Sequence, residues 1–274
     1  MRHWLLLGLV TAALIAPHLA LQAGGYYDIP PQPVEHKGMV ARQMELSSAE
    51  RVRDNQRGVV RVQGSSEPLT EEFLHQAVEQ RSLEDSAYVS VWHWRGIRDA
   101  TASARGLDSK HHFANSYLVG FQPFTTRELW VPLYTLATRK EYQLDHLQYS
   151  GLADIWQTSR QAYYQKRGDC EDHAILLADW LINLGVDARV AMGTFKGEGH
   201  AWVVAIVNNR EYLLEATSKE RRSSFQAMPL AALAEGYDVE FQFNRDFFWA
   251  KRSKAATRNY RGSHWVKKSQ FIRG

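Results

Sequence analysis

The chain has 274 residues, room for one large domain or two small ones. It is 45% hydrophobic, with nine Trp and twelve Tyr, so it can bury a sizeable core without covalent staples. Its single cysteine excludes an intrachain disulfide and any Cys-rich zinc site, and its net charge of +3 hides an uneven distribution along the chain.

Residues 1–23 start with the basic Met1-Arg2-His3, continue as an uncharged apolar run and reach a small-residue cleavage site at Leu21-Gln22-Ala23. This reads as a secretory signal peptide or an uncleaved membrane anchor. The protein is therefore expected to be exported, either periplasmic or anchored and facing the periplasm. Residues 24–35, rich in Gly and Pro, form a linker. A polar, helix-permissive stretch covers 45–57, a short strand 59–62, a helix capped by Thr70 70–81, and a strand rich in Val, Tyr and Trp 87–94. The polar segment 98–110 predicts a loop. Thr126 is placed to cap a helix over 127–142.

Thr158-Ser159-Arg160-Gln161 is a capping box and opens a helix to about residue 166. Another helix runs over 170–184, with Gly185 as its C-cap. Cys170, Ala174, Leu177, Ala178 and Leu181 share one face of it. Strands follow over 186–193, 200–207 and 211–217. Asn208-Asn209 is a tight-turn signal between the last two. Coarsely, 36–150 is an N-terminal extension or lobe, 151–244 a catalytic core, and 245–274 a basic aromatic C-terminal arm. That arm carries nine Lys/Arg against one Asp, interleaved with aromatics. It reads as a solvated arm folded back by its rings, with an anionic envelope surface as an alternative partner and no nucleic acid expected.

The chemistry concentrates around Cys170, in Gly168-Asp169-Cys170-Glu171-Asp172-His173. Asp169 is a good N-cap, so Cys170 falls in the first helical turn, where free N–H groups and the helix dipole are expected to lower a thiol's pKa. The alternative is a small buried hydrophobe. Glu171 and Asp172, like Asp169, read as capping and dipole-stabilising charges, although each opposes a thiolate. His200 opens one strand and Glu215 lies near the end of the next. A two-residue turn pairs Val207 with Arg210, which makes Glu215 the diagonal same-face neighbour of His200. A Cys170–His200–Glu215 site follows, with Cys170 as nucleophile, His200 as base and acid, and Glu215 orienting the imidazole. The N–H of Cys170 is an oxyanion donor. Gly197-Glu198-Gly199 reads as a loop that lets substrate approach His200. His173 reads as a surface residue. His111-His112 lacks a carboxylate or Cys at ligand spacing, so no metal is expected there, and no cofactor is expected at all.

These motifs resemble the transglutaminase-like superfamily over about residues 153–220, nearest to its bacterial transglutaminase-like cysteine proteinases. Gly168 to Ala174 is similar to that family's cysteine motif, Gly199-His200-Ala201-Trp202-Val203 to its histidine motif, and Tyr212 to Thr217 to its acid motif, with Glu in place of the usual Asp. Asp154-Ile155-Trp156-Gln157-Thr158 is similar to an upstream segment of the bacterial proteinases, although Ser159 stands where they often have Pro. The resemblance implies a papain-like α+β fold in which a Cys-bearing helix packs on an antiparallel sheet. It also implies a second oxyanion donor upstream, for which Gln157 or Trp156 is the candidate, with ordinary core as the alternative for Trp156. The implied function is an exported thiol peptidase or isopeptidase acting on a protein or peptide substrate through a thioester. The alternatives are a protein-glutamine transglutaminase and a non-catalytic binding module of the same fold.

Overall fold

A computed structural model describes residues 53–79, 89–152 and 154–274. The expected signal or anchor, the linker and most of the helix-permissive stretch over 45–57 lie outside the described residues. In chain order the structure runs β1 (Gly58–Val62), α1 (Glu71–Glu79), β2 (Ser90–Trp94), β3 (Ile97–Gly106), β4 (His111–Phe113), α2 (Val131–Arg139), β5 (Glu141–Tyr142) and α3 (Asp145–Gln148). It continues with β6 (Ile155–Trp156), α4 (Ser159–Tyr164), β7 (Arg167–Gly168), α5 (Cys170–Asn183), β8 (Asp187–Phe195), β9 (Glu198–Val207), β10 (Arg210–Leu214), β11 (Tyr237–Phe243), β12 (Phe247–Lys251) and β13 (Trp265–Arg273). The architecture is α+β, as expected. A seven-stranded antiparallel sheet in the order β1-β13-β12-β11-β8-β9-β10 carries α5 against one face. No helix among the described residues is long and apolar enough to cross a membrane.

Local signals explain much of this. Thr158 and Gln161 form the full reciprocal capping box that starts α4. Gly185 follows α5 with φ +81°, the left-handed conformation a helix stop favours. Asn208 and Asn209 have φ of 48° and 62°, as a twist-matched two-residue hairpin turn requires. They pair Val207 with Arg210 and carry that register to Val203 with Leu214.

Four expectations are corrected. Segment 98–110 is not a loop, because most of it is β3, whose Ala100, Ala102 and Ala104 are fully buried. Its small side chains score as polar and weakly apolar in sequence, yet they suit a strand packed closely on both faces. The helix expected over 127–142 spans only Val131–Arg139: Thr126 Oγ1 accepts from Glu128 N in a local turn, and Pro132 falls in the first helical turn. Lys196 and Gly197, with φ of 53° and 89°, form the β8–β9 turn, so Glu198 and Gly199 already belong to β9. The C-terminal segment is no solvated arm. β12 and β13 sit inside the main sheet, and β1 pairs with β13 along its whole length. Its cations form ion pairs within the fold, including Arg245 with Asp179, Lys251 with Asp238, Arg261 with Glu211 and Arg273 with Asp246.

The core lies between α5 and the sheet. Every residue of α5 from Cys170 to Leu181 is buried, not only one stripe. β3, α2 and α4 cover the sides that the sheet leaves open. A helix enclosed in this way is fixed in position, and its first residue is fixed with it.

Candidate active site

The start of α5 is held from two sides. β7 pairs in parallel with β5, setting Tyr142 opposite Gly168 two residues before Cys170. On the other side β10 ends at Leu214, paired with Val203, so the preceding stretch of β9 has lost that neighbour. There the backbone of Ala201 lies against the Cys170 thiol and favours its charged form. The sulfur in turn donates to Glu171 Oε2 at 3.4 Å. Cys170 is only 2% exposed. Burial, then the charge of Asp169, pushes its thiol well above the ordinary range. Desolvation and the charge of Asp169 thus oppose the lowering expected from the helix N-terminus. The Asp169 side chain also makes no cap hydrogen bond.

His200 and Glu215 meet. His200 Nε2 lies 2.8 Å from Glu215 Oε2. Strand parity carries Glu215 to the correct face one residue past the last paired position of β10. Thr217 holds the other oxygen, Oε1, through its backbone N–H at 3.1 Å and its hydroxyl at 2.6 Å. Burial works against the charge on Glu215, yet the His200 and Thr217 interactions keep its carboxyl below the usual range. The imidazole is flanked by the rings of Phe195, Trp202 and Tyr237, at centroid distances of 5.9, 6.1 and 6.4 Å. Gly193 is paired with His200 across β8–β9, and β11 crosses so closely there that any Cβ on it would strike the Asp238 backbone.

The upstream candidates do other work. Trp156 is fully buried, donates to Asp154 Oδ1 at 2.8 Å and packs on Tyr117 and Phe243. The Gln157 side chain is likewise fully buried and donates to Tyr149 Oη at 2.9 Å and the Arg167 carbonyl at 3.1 Å. Neither side chain is free to receive an oxyanion, because the core needs both. His173 is not a surface residue: it is fully buried, its Nδ1 is 2.6 Å from the Asp169 carbonyl, and burial drops its pKa to about 3. For His112 a carboxylate does stand four residues earlier in the chain, with Asp108 Oδ1 2.9 Å from its Nε2.

Sequence reasoning missed a cluster beside the thiol. Asp145, Asp169, Glu171 and Asp172, all buried, bring one oxygen each within 4.8 Å of one another. Among the described residues, Asp145 Oδ1, Asp169 Oδ1, Glu171 Oε1 and Asp172 Oδ2 find no hydrogen-bond partner. Burial raises the pKa of all four; repulsion from neighbouring carboxylates adds to it at Asp145, Glu171 and Asp172, whereas hydrogen bonds and Lys140 oppose it at Asp169. Two of the remaining oxygens are held in place: Asp172 Oδ1 accepts from Gln157 N at 2.7 Å, and Asp145 Oδ2 accepts from Ile155 N. A Cβ at Gly168 would come within 2.5 Å of Asp172 Oδ2. Four buried carboxylates gathered this closely suit a hard divalent cation of the calcium or magnesium class and do not suit thiophilic metals. The sequence signal was the three acids around Cys170, which had been given to helix capping; Asp145 joins them only through the fold.

The family profile of a CEP76 peptidase-like domain matches residues 154–264, which include Cys170, His200 and Glu215. Among named proteins, mouse centrosomal protein of 76 kDa is 44% identical over 55 residues, 20% of this chain and 8% of that protein. Human protein CC2D2B is 40% identical over 62 residues, 23% of this chain and 4% of that protein. The chain thus matches only a small fraction of the length of these relatives. Among solved structures, EGTA-treated LapG of Legionella pneumophila is 12% identical, with 68% of this chain and 88% of that one covered and a TM-score of 0.37.

Proposed function

We propose that this protein is a thiol peptidase or isopeptidase using Cys170, His200 and Glu215. The observation that carries the reading is the His200–Glu215 pair at 2.8 Å, one residue from Ala201, whose backbone favours the charged form of the Cys170 thiol. With Nε2 engaged by Glu215, His200 has Nδ1 left to exchange a proton with the thiol. The thiolate attacks a substrate carbonyl and forms a C–S bond. The tetrahedral oxyanion is received by the N–H of Cys170, one of the unpaired donors at a helix start. His200 returns its proton to the leaving amine as the C–N bond breaks, which gives a thioester. Water, deprotonated by His200, then adds to the thioester, and the thiol leaves.

A divalent cation of the calcium class, held by Asp145, Asp169, Glu171 and Asp172, would neutralise the carboxylates that oppose a Cys170 thiolate. The residues fit such an ion, because four buried carboxylates offer hard oxygen ligands within 4.8 Å of one another while burial disfavours their charge. Export is proposed with this function on the strength of residues 1–23.

The test is to incubate the full chain, in calcium, with a mixed peptide pool and a labelled primary amine, and to identify products by mass. New peptide termini that are absent from a Cys170→Ala control support the peptidase. Label on glutamine without cleavage gives the transglutaminase. Neither product, with a thiol that alkylates, gives the binding module.

A further inference from the structure

Glu215 carries one more methylene, and one more rotatable bond, than the Asp usual in the motifs it resembles. A freely rotating glutamate would hold the imbedded imidazole poorly, since ordering it costs side-chain entropy. In this chain the carboxylate is saturated. Thr217 supplies two donors to Oε1, and Tyr237 Oη donates to Oε2 at 3.0 Å, the same oxygen that receives His200 Nε2. Tyr237 opens β11, two strands away from β9 in the sheet, and it pairs with Phe195 at the end of β8. Its ring is held by Phe195 at 4.4 Å and Trp202 at 5.0 Å. The phenol is therefore aimed by packing on both sides. Burial, then the charge of Glu215, pushes its ionisation upward, so it acts as a donor.

We infer that Tyr237 is a positioning residue of this site: its hydroxyl fixes the Glu215 carboxylate in the rotamer that aligns His200, and so compensates for the longer acid. It touches neither the substrate nor the thiol and acts through Glu215. The inference deepens the reading of Cys170, His200 and Glu215 as a catalytic set and rests on it. Tyr237→Phe is the natural probe, because it removes one oxygen and keeps the ring that packs on Phe195 and Trp202.

The experiment measures the rate of iodoacetamide alkylation of Cys170 in the full chain at pH 7 and constant calcium. The variants are His200→Ala, Glu215→Gln, Tyr237→Phe and the Glu215→Gln/Tyr237→Phe double variant. The expected result is a 3- to 10-fold slowing by Tyr237→Phe that shrinks to less than 2-fold in the Glu215→Gln background, because coupled groups are not additive. An unchanged rate in Tyr237→Phe while His200→Ala is slowed overturns this inference alone. So does a Tyr237→Phe effect of equal size in both backgrounds, which marks a merely structural role. A rate unchanged by His200→Ala overturns the catalytic set itself and this inference with it. Should Tyr237→Phe not fold, 3,5-difluorotyrosine at 237 keeps the shape and strengthens the donor. It is expected to change the rate at least 2-fold with Glu215 present and not in Glu215→Gln, and any other pattern overturns the inference.

Discussion

The buried acid cluster makes the sharpest prediction. Four carboxylates with donor oxygens within 4.8 Å cannot all be ionised in the bare protein. One pair of charges at that distance repels by about 3.5 kcal/mol at an effective dielectric constant of 20. Their folded-state pKa values are raised, so the bare fold is stabilised at low pH, where both folded and unfolded chains are protonated, and loses that stabilisation as pH rises through the raised values. A cation reverses the trend, because it binds the deprotonated form. At a calcium concentration 100-fold above the dissociation constant the gain is about 2.7 kcal/mol. At about 2–4 °C per kcal/mol for a domain of this size, Tm should rise by roughly 5–11 °C. The assay is thermal unfolding of the full chain in EGTA and in calcium, at pH 5 and at pH 7.5. The shift should be large at pH 7.5 and small at pH 5, and Asp145→Asn should abolish most of it. A calcium-independent Tm at pH 7.5, or a shift that survives Asp145→Asn unchanged, would refute the assignment.

Glu215→Gln should leave the melting temperature nearly unchanged and lower kcat/KM on a cleaved peptide by roughly 10²–10⁴-fold, with Glu215→Ala at least as severe; wild-type turnover in both would remove Glu215 from the site. Glu240 is half-buried with its Oε2 unpartnered, and burial raises its carboxyl to about 7, against the pull of Lys251. Its raised pKa favours the fold below about pH 4.5 and is a liability above 7, so Glu240→Gln should stabilise by about 1–2 kcal/mol at pH 8, after discounting for solvent screening, and by nothing at pH 4, as read by urea unfolding. Asn115, 1% exposed, donates to the carbonyls of Asn244 at 2.6 Å and Phe247 at 3.0 Å, which ties the turn after β4 to the β11–β12 hairpin. Asn115→Ala leaves those carbonyls unpaired and should cost about 2–4 kcal/mol, seen as a drop in urea midpoint with unchanged m.

What the sequence determined by itself was local. Thr158 with Gln161, Gly185 and Asn208-Asn209 each act over four residues or fewer, so the start of α4, the end of α5 and the β9–β10 register could be read from spacing. Strand parity then put Glu215 on the face of His200, since a hairpin turn of two residues fixes which side chains point together. The tertiary structure alone decided how each residue was used. Gln157 and Trp156 looked like donors near a nucleophile, and packing turned both into core. The basic C-terminal run looked like an arm until β13 was seen paired with β1 across more than two hundred residues of sequence, a contact that leaves no local signature. Asp169, Glu171 and Asp172 looked like caps. They became a cation-type cluster only because β5, β7 and the start of α3 bring Asp145 against them and exclude water. The same burial opposes the lowering expected for the Cys170 thiol: the helix dipole is written in the local sequence, whereas desolvation is a property of everything folded around it.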